Sequence, residues 1–132
     1  MQSDPREYTL EFLLDFDGRV HWLESGHCLK FKIRRVDYSA HRPHGLRYSF
    51  TLHDPKGRRL IGFDNAHHPS QRRGMAIAKH TAMDHWHRTR SEAGRPYAFK
   101  DAETLLADFF REVRRVLAEA GVSDDVVKVE ER

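Results

Sequence analysis

Cysteine is almost absent from this chain. Cys28 stands alone, which excludes an internal disulfide framework and a zinc site built from four thiolates. A lone cysteine fits a reducing compartment, and here it reads as a small strand hydrophobe rather than a nucleophile. No apolar run reaches the roughly 18 residues of a membrane-spanning helix, so no membrane association is expected. The opening Met1-Gln2-Ser3-Asp4-Pro5-Arg6-Glu7 lacks the basic-then-apolar order of an export signal, and a cytoplasmic location is expected. Internal repeats and low-complexity tracts are missing too. With 132 residues, 39% of them apolar and 33% charged, there is material for one core under a strongly solvated surface.

Acidic residues are scarce where basic ones are dense. Residues 19–100 hold 17 Lys/Arg against 6 Asp/Glu, a net of +11 within a chain whose total is only +3. Residues 1–18 carry five acids and one base, and residues 101–132 nine acids and five bases. A basic middle between acidic ends predicts a positive face for a polyanion such as RNA. Ordinary solvated surface charge is the competing reading.

The apolar pattern predicts an α+β fold, with an antiparallel sheet of about five to six strands covered by one C-terminal amphipathic helix. Tyr8 to Phe16 is apolar and runs into Asp17-Gly18, a hairpin signal, with Arg19 to Glu24 as the return strand. In 28–38, Leu29, Phe31 and Ile33 alternate with Lys30, Lys32 and Arg34. The phase then slips at Arg34-Arg35, which predicts a bulge. Leu46, Tyr48, Phe50 and Leu52 share one face of the next strand, and Asp54-Pro55-Lys56-Gly57 turns it into Arg59 to Phe63. Residues 65–94 read as a His/Arg-rich loop, with a short helix over Met75 to Met83, and Tyr97 to Phe99 as a last short strand. Leu105, Leu106, Phe109, Phe110, Val113, Val116 and Leu117 then form a helical stripe, with Asp101 as N-cap and Gly121 as C-cap. Residues 1–121 form the domain, and 122–132 an acidic tail, either a frayed strand or disordered.

The chemistry-bearing residues gather in the loop. Five of the ten histidines lie within 67–87: His67, His68, His80, His85 and His87. Around them stand Arg72, Arg73, Lys79, Arg88, Arg90 and Arg95, opposed by Asp84 and Glu92. Imidazoles move protons near neutral pH and guanidiniums neutralise phosphate charge, so the set suits phosphodiester chemistry. Asp84-His85-Trp86-His87-Arg88 is the sharpest pattern. If extended, His85 and His87 project from one face, with Asp84 and Trp86 on the other.

Three readings follow. The histidines are acid and base in metal-independent RNA cleavage, or half of a zinc-like site completed by His67, His68 or a carboxylate, or polar loop residues that only hydrogen-bond their neighbours. A magnesium site fits poorly, because carboxylates are few and Asp64 and Asp84 are the nearest. Trp86 is core or a stacking platform for a base. Tyr48 packs in the core while Arg47 faces water or a phosphate.

Four segments resemble the TumE-like family of bacterial type II toxin–antitoxin toxins. They are His44-Gly45-Leu46-Arg47-Tyr48-Ser49-Phe50, Phe63-Asp64-Asn65-Ala66-His67, Asp84-His85-Trp86-His87, and Arg95-Pro96-Tyr97-Ala98-Phe99 leading into Leu105-Leu106-Ala107-Asp108-Phe109. The resemblance covers about residues 44 to 117. It implies the toxin of a two-gene module, growth inhibition when free, and a helix-turn-helix antitoxin as partner. It also implies that Arg47, Tyr48, Asp64, Asn65, Asp84, His85, His87 and Tyr97 are site positions. One departure stands out. Family members often join the second and third segments by a short Gly-Lys-Gly link, whereas here 16 residues, His68 to Met83, intervene and include Lys79.

The expectation is therefore a toxin that cleaves RNA with His85 and His87, assisted by Asp84, Tyr48 and Asp64. Arg47, Arg88, Arg90, Asn65, Tyr97 and Lys79 would hold the substrate, with no metal or cofactor. The alternatives are a non-enzymatic nucleic-acid- or partner-binding module, or a metal site on His85 and His87.

Overall fold

The computed structural model describes residues 5–38, 45–65, 84–91 and 94–131. The elements run α1 (Pro5–Leu14), β1 (Val20–Leu23), β2 (Cys28–Arg35), β3 (Leu46–His53), β4 (Arg59–Asp64), β5 (His85–His87), β6 (Arg95–Pro96), α2 (Ala102–Ala120) and β7 (Val126–Glu130). The strands make one seven-stranded sheet in the order β6-β5-β4-β3-β2-β1-β7, every neighbour antiparallel. The α+β class and the helix after the meander are as the sequence predicts. The strand count is slightly higher.

Helix α2 carries the chain from β6 at one edge to β7 at the other. Its 19 residues span about 28 Å at ~1.5 Å per residue, close to the ~29 Å across six strand gaps of ~4.8 Å. Asp101 caps it, accepting from the Thr104 N–H at 2.7 Å. Gly121, at φ +67°, ends it with N–H bonds from Gly121 to the Ala118 carbonyl and from Val122 to the Leu117 carbonyl. Leu105, Phe109, Val113 and Leu117, spaced four apart, face the sheet and are buried. The Phe109 ring sits within 5.6 Å of Phe31 and Phe50 and 6.1 Å of Phe63, joining β2, β3 and β4 in one core.

Four local expectations are corrected. The last short strand before α2 is Arg95–Pro96, not Tyr97 to Phe99, and His85–His87, expected within a loop, is strand β5, because each pairs in the ladder from β4 outward. Residues 5–14 form a helix, not the first strand of a hairpin. Leu13 and Phe16 are buried and Leu10 and Leu14 pack against the core, a three-and-four spacing that a strand with period two cannot bury on one side. Asp17-Gly18 then joins helix to strand: the Gly18 N–H, at φ +83°, donates to the Phe31 carbonyl at 2.8 Å. The expected bulge at Arg34-Arg35 is also missing, because β2 and β3 pair in unbroken register from Cys28↔His53 to Arg35↔Leu46. The strand simply ends at Arg35, so Val36 and Tyr38 leave the alternation. Register shifts occur instead at Leu52/His53 and Trp22/Leu23. Met75 to Met83, expected as a short helix, lies outside the described residues. The 122–132 tail contributes the edge strand β7, the strand alternative of the sequence reading.

Among the described residues, α1 and α2 lie side by side on one face of the sheet. By strand alternation, the opposite face carries Lys30, Lys32, Arg34, Arg47, Ser49, Thr51, Asp64, His85 and His87.

Candidate functional site

Strands β4 and β5 set the geometry. Asp64 pairs with His85, and Gly62 with His87. Because β5 is extended, His85 and His87 project from one face while Asp84 and Trp86 turn to the other. The Asp64 carboxylate reaches diagonally to the second histidine, where Oδ2 lies 3.4 Å from His87 Nε2. Diagonal neighbours on antiparallel strands are within reach of long side chains. The distance exceeds a tight hydrogen bond. Both side chains are nearly buried, at 12% and 13% exposure. His85 is half-buried on the same face.

Gly94 completes the seat of His87. Its backbone adopts φ +111°, and a Cβ there would fall 2.7 Å from His87 Cε1. Such a close approach to a ring admits only glycine. Gly94 is not legible as a site residue in the sequence, since what it touches depends on where β5 and β6 lie.

The remaining site candidates divide by face. Tyr48 is buried on the helix side, and its hydroxyl donates to Asp84 Oδ2 at 2.6 Å. Burial, and then the Asp84 carboxylate, push the Tyr48 hydroxyl far above its ordinary range, so it stays protonated. The Tyr97 N–H donates to the Asp84 carbonyl at 2.9 Å, and the Tyr97 hydroxyl to Asp108 Oδ2 on α2 at 2.6 Å. Burial and that hydrogen bond likewise raise Tyr97.

Asn65 is fully buried just past the last β3–β4 pair, Ser49↔Asp64. Its Oδ1 accepts from the Tyr48 N–H at 2.9 Å and its Nδ2 donates to the Leu46 carbonyl at 2.7 Å. The side chain thus continues the ladder where the backbone leaves it. Tyr48, Asp84, Asn65 and Tyr97 therefore fasten β5 to β3, β4 and α2, and the structure does not bring their polar groups to the histidine face. Trp86 packs on Phe63 with ring centroids 5.5 Å apart, under the Arg95 guanidinium at 5.0 Å.

Arg47 is exposed on the histidine side of the sheet, directly opposite Arg34. Arg88 and Arg90 are exposed just past β5, where the Arg88 carbonyl accepts from Arg115 Nη2 at 3.0 Å. Lys79, His67, His68 and His80 lie outside the described residues. Among the described residues no group of three or more His, Cys, Asp or Glu is arranged to hold a metal ion, and no helix is long and apolar enough to cross a membrane.

A family model described as Toxin TumE matches residues 5–117. No curated protein and no solved structure matches the chain. The match takes in α1, β1 to β6 and α2 as far as Leu117, and leaves out β7. By that match, which spans most of its length, the chain belongs to the TumE toxin family.

Proposed function

We propose that this TumE-family toxin is a ribonuclease that cleaves RNA in the cytoplasm by metal-independent acid–base chemistry on His85 and His87, restrained by a cognate helix-turn-helix antitoxin. The observation that carries the proposal is the pairing of His87 with Asp64 beside a second histidine on a cationic sheet face.

His85 and His87 stand two residues apart on one strand, about 6–7 Å along its axis, a span that places one imidazole on each side of a phosphodiester. His85 takes the proton from the ribose 2′-hydroxyl, and the 2′-oxygen attacks phosphorus. The bond to the 5′-oxygen breaks as His87 delivers a proton to that leaving oxygen. The products are a 2′,3′-cyclic phosphate and a 5′-hydroxyl end. Asp64 orients His87 and balances its charge when it is protonated, which assigns His87 the donor role. Arg47, Arg88, Arg90 and Lys79 hold phosphate oxygens. Tyr48, Asp84, Asn65 and Tyr97 act through the scaffold, by keeping β5 in place.

The test is induced expression of wild type, His85→Ala and His87→Ala, with total RNA extracted from each culture and cleavage by the purified proteins repeated in EDTA. Growth arrest with RNA loss in the wild type alone, and cleavage that persists in EDTA, supports the reading. Full toxicity of both histidine variants overturns it.

A further inference from the structure

Arg34 and Arg47 are direct cross-strand partners on β2 and β3, and both are exposed on the histidine side of the sheet. Like charges placed opposite each other on a sheet repel. Neither guanidinium makes an ion pair with another described residue, and neither does Lys32 next to them. The contrast with Arg35 is informative: turned to the helix side, it meets Glu11 at 2.6 Å. Lys32, Arg34 and Arg47 line a cleft of about 420 Å³ over the two strands. Asp17, the one acid among the described lining residues, accepts from the Ile33 N–H through Oδ1 at 3.0 Å. Three cations against one carboxylate leave this concave space with a net positive charge, which suits an anion.

The strand register says where that anion belongs. Lys32 pairs with Ser49, Ser49 with Asp64, and Asp64 with His85. This row crosses three strand gaps, about 14 Å in all, from the cleft to the reaction centre. We infer that the Lys32–Arg34–Arg47 cleft is a second phosphate subsite, which takes the backbone of single-stranded RNA a few nucleotides from the bond that His85 and His87 address. The inference rests on the ribonuclease reading for its substrate. A single strand can be drawn flat across the sheet from cleft to histidines, and a stiff duplex cannot. Substrates long enough to reach the cleft gain affinity from it, so the subsite selects for length rather than for base.

The experiment measures binding of a fluorescein-labelled oligouridylate to the full-length His85→Ala protein, so that cleavage does not enter. Arg34→Gln/Arg47→Gln added to that background is expected to weaken binding at least ten-fold and to flatten the slope of log affinity against log salt by about 1.4, the release of two single-strand contacts. Lys56→Gln/Lys100→Gln, which removes the same charge from exposed positions away from the cleft, is expected to change binding less than two-fold. Equal losses in the two double variants would mean diffuse charge and overturn the subsite, as would unchanged binding in the arginine variant. Melting of each variant is recorded alongside, and relief of the like-charge pair should leave it level or raise it. Wild-type cleavage is read separately: loss of binding at the arginines with no wild-type cleavage would retain the cleft and end the nuclease reading, and the reverse result would do the opposite.

Discussion

His87 Nε2 faces Asp64 Oδ2 across the β4–β5 pair at 3.4 Å, although Asp84, three residues from His87 in sequence, is the nearer carboxylate in the chain. Asp84 instead turns to the helix side of the sheet, where its Oδ2 accepts from the Tyr48 hydroxyl. The face of a strand, rather than proximity in sequence, has chosen the acid partner of the histidine.

Asp64→Asn is the first consequence. The amide keeps the shape of the carboxylate and removes its charge. Toxicity and RNA cleavage should fall by about 10²-fold, at the lower end of what a positioned acid–base group supplies, while the melting temperature stays within a few degrees of wild type. Growth rate on induction and thermal melting of the purified protein check it. Unimpaired cleavage would remove Asp64 from the reaction.

Gly94→Ala should injure the site more than the fold. The backbone at φ +111° disfavours a side chain, at a cost of about 1 kcal/mol or more, and the new Cβ would displace the His87 ring. Gly57→Ala is the control. Its φ is +85° with nothing within 4 Å of the added atom, so it should show the strain without the loss of cleavage. Denaturant unfolding paired with cleavage assays separates the two effects.

Tyr48→Phe removes a buried donor from the Asp84 carboxylate. Stability should drop by about 1–3 kcal/mol, with cleavage per folded molecule nearly unchanged. Asp84→Asn should cost less, because the amide oxygen still accepts from the tyrosine. A Tyr48→Phe protein that folds as well as wild type and has lost cleavage would place the hydroxyl in the chemistry.

Acid should destabilise the protein in two stages. Burial, and then the charge of Arg19, lower His21 below its ordinary 6.5, where its ring packs on Phe16 and Phe31. Burial lowers His53 as well. For such groups the unfolded chain binds more protons below pH 6.5, so stability is full above that value and is lost as pH falls through it. Asp101 is lowered by its bond with Thr104. Its contribution is present above the ordinary carboxylate range and disappears as pH falls below about 3.8. Melting temperature should therefore be level above pH 7 and decline below pH 6.5, with a further loss as pH falls below about 3.8. His21→Phe should shrink the first decline. It also removes the His21 Nε2, which is buried without a hydrogen-bond partner among the described residues. An unchanged profile in that variant would assign the first stage to other groups.

The sequence by itself determined what repeats along the backbone. The α2 stripe and its two caps, the turn at Asp54 to Gly57, the outward row Lys30, Lys32 and Arg34, and the split of His85 and His87 from Asp84 and Trp86 all follow from periods of 3.6 or 2 and from local cap chemistry. Only the tertiary structure decided what those faces meet. Tyr8 to Phe16 is short and apolar enough to read as a strand, and it became a helix because burial against α2 and Phe31 rewards a three-and-four spacing. Asn65 resembles a site residue in sequence and became a ladder extension, since a buried amide must bond the backbone groups left where β4 ends. The pairing of Asp64 with His87, the seat at Gly94 and the opposition of Arg34 to Arg47 depend on which strands lie side by side and in what register. Register is set by the burial of the whole sheet face, because a slip of one residue would turn every side chain of a strand to the wrong side.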